Sequence, residues 1–332
     1  MILVTGATGM LGTHIIAALL GEHRRIKALY RSEEKKNHCL EFLRKKGVLG
    51  LEDILWVKAD LSELLTLSGL FDEVTYVVHC AAIISNQKAA RKRIFQTNYV
   101  GTKYLVDLLL EHPNIKLCHI SSIAVLESEP SRICDESSYY NPDADHGYYS
   151  ESKHLAEMEV WRGIQEGLNA VILLPGVILG EGFWNSGSGK LFDKIHSGIR
   201  FFPTGKSGFI DVNDVVQVVL TTTFSDISNQ RFVLVAENQS FQWVMLQVAI
   251  ALHKTPPQNA LNSRLLLVLA HILSVLTAFG IKNPLPIYSV RALFNSHCYS
   301  AQKIESLLGI TWTPLEKSIR RISEEYLKDQ AS

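Results

Sequence analysis

The chain has 332 residues with 33 basic and 33 acidic side chains, so it is formally neutral at pH 7 and lacks the electrostatic footprint of a nucleic-acid binder. Hydrophobic residues make up 47% and charged residues 20%, which excludes general disorder and provides for roughly two domains, or one large domain with an embellishment. The cysteines Cys39, Cys80, Cys118, Cys134 and Cys298 are scattered without a CxxC pair, so they read as reduced core residues rather than a disulfide framework or a zinc knuckle. The 12 histidines include no HExxH and no paired metal spacing, and no metal is expected. The sequence opens on Met1-Ile2-Leu3-Val4-Thr5-Gly6 without a leader pattern, so a cytoplasmic location is the default expectation.

Short apolar, β-branched runs alternate with helical patterns through the first half, which predicts βαβ units and a parallel sheet of the α/β class. The predicted strands are Ile2–Thr5, Ile26–Tyr30, Ile54–Val57, Tyr76–His79, Ile115–Ser121 and Ala170–Leu174, with helices over Leu11–Leu20, Ile94–Leu110 and Ser150–Gln165. After Pro175 the pattern changes to a Gly/Ser-rich stretch, a short helix at Leu191–Gly198, a helix at Asp211–Thr222, a strand at Arg231–Ala236 and an amphipathic C-terminal helix from Pro314 to Lys328. Residues 1–174 with about 210–236 are expected to form the cofactor domain, and about 175–209 with 237–332 a smaller, mostly helical substrate lobe.

The first strand runs into Thr5-Gly6-Ala7-Thr8-Gly9-Met10-Leu11-Gly12 and then a helix. In that context glycines permit a tight turn and let backbone N–H groups approach a pyrophosphate, whose charge the helix N-terminus favours. Gly6, Thr8, Gly9, Met10, Leu11 and Gly12 are therefore expected at a dinucleotide. The second strand ends in Tyr30-Arg31-Ser32 where NAD-binding proteins place an acid for the ribose 2′-hydroxyl. An arginine there pairs with a 2′-phosphate, so Arg31 favours NADP(H) over NAD(H).

A Tyr-x-x-x-Lys pair sets a phenol and an ammonium on one helix face, so the cation can lower the phenol pKa and ready it for proton transfer. The 11 Tyr and 19 Lys give about 0.6 such pairs by chance, and the chain has three: Tyr99/Lys103, Tyr149/Lys153 and Tyr299/Lys303. Position selects Tyr149/Lys153. Tyr149 opens the helix that follows Ser122, and Ser122 lies at the C-terminal edge of the predicted fifth strand, where ligands bind in open α/β sheets.

With these, Asp60-Leu61, His79-Cys80-Ala81-Ala82, Asn98-Tyr99-Val100-Gly101-Thr102, Ser121-Ser122-Ile123-Ala124-Val125 and Leu174-Pro175-Gly176 follow in order. In this series the chain resembles the extended short-chain dehydrogenase/reductase family, the group with NAD-dependent epimerases and dehydratases, over nearly its whole length. The resemblance implies a Rossmann doubly wound sheet. It also implies that Asp60 and Leu61 flank the adenine, Ala81 and Ala82 line the ribose, and Pro175 to Val177 pass beside the nicotinamide. Tyr149 would be the general acid/base, Lys153 would hold the nicotinamide ribose, Ser122 would hydrogen-bond the reacting oxygen, and Asn98 would support them. A homodimer through helices beginning near Gln87 and Tyr149 is a family expectation.

Departures from the pattern bear on substrate. Where sugar-nucleotide members carry an arginine for the diphosphate, the stretch Ser207-Gly208-Phe209-Ile210-Asp211-Val212-Asn213-Asp214-Val215 has Ser207, and Leu174 replaces another common arginine. The chain is more similar to dihydroflavonol-reductase-like and 3β-hydroxysteroid-dehydrogenase-like members. The expected function is hydride transfer between NADP(H) and a carbonyl or alcohol of a small-molecule substrate. The alternatives are a nucleotide-sugar epimerase or dehydratase with bound NAD, and a non-catalytic cofactor sensor. Arg44-Lys45-Lys46 and Arg91-Lys92-Arg93 read as solvated faces; Phe183, Trp184, Phe192, Phe201 and Phe202 read either as a pocket lining or as lobe packing. The apolar run Leu265–Ile281 falls just short of the roughly 20 residues that span a bilayer. A buried or pocket-covering helix is the first reading of it, reversible membrane association the second and a span the third.

Overall fold

The computed structural model describes residues 1–67, 69–127, 133–143, 146–276 and 286–331. Seven strands form one parallel sheet in the order β10-β6-β5-β4-β1-β2-β3. They are β1 (Ile2–Thr5), β2 (Ile26–Tyr30), β3 (Ile54–Lys58), β4 (Tyr76–His79), β5 (Lys116–Ile120), β6 (Ala170–Pro175) and β10 (Gln230–Leu234). Most central strand residues are buried whichever way they point, as in β1 (Ile2, Leu3, Val4), because helices cover both faces.

On one face α1 (Met10–Gly21) and α7 (Val212–Thr223) bury Ile15, Ile16, Leu19, Val215 and Val219 against Val4, Val78 and Phe232. The polar helix α2 (Glu33–Lys45) adds Cys39, Phe42 and Leu43 to the same core. On the other face α4 (Gly101–Leu110) and α5 (Tyr148–Gln165) bury Leu105, Val106, Leu109 and Val160 against Leu3, Val77, Leu117 and Ile172. The helix predicted over Ile94–Leu110 is not uniform: α3 (Arg91–Phe95) passes through a π-helical turn, Gln96–Val100, before α4 begins.

The second half adds β7 (Val177–Leu179), α6 (Gly189–His196), β8 (Phe201–Phe202), β9 (Lys206–Asp211), β11 (Glu237–Ser240), α8 (Phe241–Ala251) and β12 (Asn259–Ala260). Strands β11, β9 and β7 form a small mixed sheet, and β12 pairs with β8. Helices α9 (Ser263–Leu276), α10 (Ile287–Ala292), α11 (Gln302–Leu308) and α12 (Leu315–Ala331) complete the chain. A third core joins Phe192, Phe202, Phe209, Val244, Ile319 and Tyr326. Four of the five aromatics serve packing: Phe192 and Phe202 enter this core, Trp184 stacks edge-on with Tyr326, and Phe183 joins Phe42 in the first core, while Phe201 is about half exposed.

Of the first reading of the apolar run, a buried or pocket-covering helix, the buried form does not hold. Within α9, Ala270 is buried but Leu265, Val268, Leu269 and Ile272 face outward, so the helix is not a buried one. Residues 277–281 of that run lie outside the described residues. Among the described residues no helix is long and apolar enough to cross a membrane.

Candidate functional site

Strand β1 lies where the sheet order reverses, between β4 and β2, and the site is built on its C-terminal end. Gly6 turns the chain there with φ +67°, and a Cβ on it would lie 2.6 Å from the Ala81 amide nitrogen. A Cβ on Gly12 would overlap the Gly6 carbonyl, so only glycine lets α1 start this close to the turn. Gly9 caps α1 without a side-chain hydrogen bond, which leaves first-turn N–H groups for an anion.

A cleft of about 390 Å³ opens from this turn. Gly6, Thr8, Gly9, Arg31, Asp60, Leu61, Ala81 and Ala82, all expected from the sequence, line it. Met10, Leu11 and Gly12 stand behind them on α1 and are absent from the lining. Ser32, Lys35, Cys80, Arg93 and Thr97 also line it and were missed. For Arg93 the solvated-face reading needs correction: it is exposed, as expected of a charge run, but it stands at the cleft wall because α3 crosses the mouth beside Thr97. Lys35 had a readable signal, its place one helical turn after Arg31 at the start of α2.

The Arg31 guanidinium lies 3.2 Å from an Asp60 carboxylate oxygen and 3.4 Å from the Thr97 hydroxyl. Burial pushes the Asp60 carboxyl up, but hydrogen bonds from Ser62 and the charge of Arg31 outweigh it and hold the group below its ordinary range. The glycine cradle, the uncapped helix start and the cations at the far end fit a dinucleotide.

Beyond the cleft, the C-terminal ends of β5 and β6 face the start of α5. Ser121 and Ser122 point apart. The Ser121 hydroxyl donates to the buried Glu157 carboxylate at 2.6 Å, while Ser122 caps the turn that follows, accepting from the Ala124 amide at 3.2 Å, with its hydroxyl near the Tyr149 phenol. One turn along α5, the buried Lys153 ammonium donates to the Ile120 carbonyl at 2.6 Å, tying the helix to the end of β5. Burial lowers the Lys153 pKa to about 8, with Glu157 and Cys80 opposing the shift. The expected depression of Tyr149 by Lys153 is not what this arrangement produces. Burial raises the Tyr149 phenol, the nearby Ser122 hydroxyl works the other way, and the Lys153 ammonium is engaged by Ile120.

Asn98 does not meet Tyr149 or Lys153 directly. From the π-helical turn its side chain accepts from the Ile83 amide at 2.7 Å and donates to the Ile83 carbonyl at 3.1 Å and the Ser152 hydroxyl at 2.9 Å. It therefore fastens the loop after β4 to α5. The same loop supplies a residue the sequence reading missed: Asn86 accepts the Tyr149 amide at 3.2 Å, capping α5, whose own N-cap Gly147 has no side chain for it. Pro175 closes β6 and Val177 opens β7, off the lining of the dinucleotide cleft. The Tyr99/Lys103 pair belongs to the π turn and α4, and in the third pair the Lys303 ammonium turns to the Arg231 carbonyl at 3.1 Å.

The profile of a family described as the NAD dependent epimerase/dehydratase family matches residues 2–232. The chain is 27% identical over 250 residues to sterol demethylase protein B of Methylococcus capsulatus, covering 73% of each. It is 23% identical over 333 residues to a putative dihydroflavonol 4-reductase of Synechocystis, covering 95% of this chain and 91% of that one. Among solved structures it is similar to yeast methylglyoxal/isovaleraldehyde reductase Gre2 complexed with NADPH, with TM-score 0.74, 18% identity and coverage of 99% of both chains. Given the matched sequence, the parallel Rossmann sheet and the site at its switch point, the chain belongs to the NAD dependent epimerase/dehydratase family, whose enzymes work with a nicotinamide dinucleotide.

Proposed function

We propose that the protein is an NADP(H)-dependent reductase or dehydrogenase acting on a carbonyl or alcohol of a medium-sized, largely apolar or polyhydroxylated molecule. The observation that carries this reading is the placement of the buried Tyr149 phenol near the Ser122 hydroxyl, with Lys153 one turn along the same helix anchored to the Ile120 carbonyl, at the strand edge next to the dinucleotide cleft. In a bound complex the nicotinamide would supply or accept the hydride.

The chain's own residues account for the proton. Ser122 orients the substrate oxygen, and Tyr149 gives its phenolic proton to that oxygen in reduction or receives one in oxidation. Lys153, bonded to the Ile120 carbonyl, holds α5 against the end of β5 and so fixes where Tyr149 stands. Asn98 and Asn86 keep α5 and the loop after β4 in register, so Tyr149 and Ser122 stay within reach of one atom.

Arg31, Ser32, Lys35 and Arg93 support NADP(H) over NAD(H), since a 2′-phosphate entering among them gains charge-assisted hydrogen bonds that a hydroxyl does not. Ser207, in β9, supplies no cation for a diphosphate, which favours a reductase over a nucleotide-sugar epimerase. The reading is tested by NADPH consumption over aldehydes, ketones, steroids and flavonoids. At least one class should be reduced by the native protein and not by Tyr149→Phe; no turnover by either, or equal turnover by both, contradicts it.

A further inference from the structure

Charge in this neutral chain is unevenly placed. The stretch from Asn238 to Ile304 contains no Asp or Glu, while Lys254, Arg264, Lys282, Arg291 and Lys303 give it five positive charges. Every acidic side chain lies outside that stretch, so the formally neutral chain divides into a basic segment of charge +5 and a body of −5.

The same segment presents apolar surface. On α9, Leu265 is 70% exposed, Val268 57%, Leu269 43% and Ile272 52%, a helical stripe at i, i+3, i+4 and i+7, while Ala270 on the other side is fully buried. The exposed Arg264 precedes the stripe on the same helix. Strand β12, just ahead of α9, pairs with β8, and the connection places Arg200 and Lys254 on a shallow basic cavity with His196 and no acidic residue in its lining. Phe201, next to Arg200, and Ile250, just ahead of Lys254, are about half exposed.

We infer that α9 and the basic cavity beside it form a face that docks reversibly on an anionic lipid surface. Apolar side chains at helical spacing enter the boundary of the acyl chains while arginine and lysine meet the headgroups, an arrangement of interfacial helices that do not cross the bilayer. Charge selects this occupant over a second copy of the chain. A symmetric contact through this face would set Arg200, Lys254 and Arg264 against their own copies with no carboxylate from the segment to receive them. The inference is independent of the reaction proposed above, because none of these residues belongs to the cleft or to the Tyr149 site.

The test is flotation of the full chain with vesicles of equimolar phosphatidylcholine and phosphatidylglycerol, and with phosphatidylcholine alone. The native protein should float with the anionic vesicles, should do so less in high salt, and should stay behind with the neutral ones. Leu265→Gln/Val268→Gln/Ile272→Gln, all at exposed positions, should lower the partition at least about tenfold with the unfolding midpoint within a few degrees of native. Arg264→Gln, Lys254→Gln and Arg200→Gln should each lower it about fivefold, one charge at the surface being worth that factor. Absence of flotation with anionic vesicles, or flotation that the apolar triple variant does not change, overturns the proposal. So does sedimentation in which the native chain is a dimer that the triple variant dissociates and no vesicle binding occurs, since the face is then a contact between copies.

Discussion

The Lys153 ammonium donates a 2.6 Å hydrogen bond to the Ile120 carbonyl, the last residue of β5, and this bond docks α5 on the strand that leads into Ser122. It explains how Tyr149, one turn earlier on α5, comes to stand near Ser122 although the two are far apart along the chain. It also sets a cost, because the ammonium is buried and its pKa is lowered to about 8.

That cost makes a prediction with a sign. The folded pKa of Lys153 lies below its ordinary 10.5, so between about pH 8 and 10.5 the unfolded chain binds more protons than the folded one and this group's contribution to stability rises with pH. Below pH 8 the charged group opposes folding. Lys153→Met should therefore raise stability at pH 7 by about 1–3 kcal/mol while abolishing turnover. Denaturant unfolding of both proteins at pH 7 and pH 10 checks it; the stability gap should narrow at pH 10, and a less stable Met variant at pH 7 would refute the assignment.

Cofactor choice rests on Arg31. Replacing it with Ala removes one or two charge-assisted hydrogen bonds to a 2′-phosphate, so NADPH affinity should fall roughly 10–100-fold while NADH affinity changes little. Because Asp60 lies 3.2 Å from Arg31, Asp60→Asn should leave NADPH binding intact or strengthen it. Fluorescence titration of both nucleotides decides; equal losses for the two would remove Arg31 from 2′-phosphate recognition.

Arg321 on α12 holds two buried carboxylates at once, Asp211 at 2.7 Å and Glu181 at 2.5 Å, and so joins the C-terminal helix to the cap of α7 and to the loop after β7. Arg321→Ala strands both and should cost at least about 2 kcal/mol, at the low end for a broken buried pair because the guanidinium is a third exposed. Burial pushes Glu181 up, but the nearby His14 ring, Arg321 and Lys46 together hold its carboxyl well below the ordinary range. Its stabilisation is thus present above about pH 4.5 and is lost as pH falls. Thermal unfolding should show a smaller native-to-variant gap at pH 3 than at pH 7; a gap that does not shrink would contradict the linkage.

Much of the cofactor half was legible from sequence because its signals are local. The strands β1, β2 and β4 have their expected bounds, and β3 and β6 differ by a single position, since continuous apolar runs between turns leave little room for another register. The helix α2 was missed because only Cys39, Phe42 and Leu43 of its 13 residues are buried, too sparse a stripe to read. Asn86 was invisible for a different reason: the amide it caps belongs to Tyr149, far along the chain, and no local pattern encodes a cap supplied by a distant loop. For Leu265–Ile281 the sequence shows apolar content but not what covers it, and α9 leaves its stripe uncovered.

The central claim is that Tyr149 carries the proton in a hydride transfer. The most direct measurement pairs NADPH binding with NADPH oxidation by the native protein and Tyr149→Phe, on a carbonyl substrate found by screening. The account predicts that the variant binds NADPH as tightly as the native protein and turns over about 10²–10⁴-fold more slowly. Turnover within a few-fold of native, with binding intact, would contradict it.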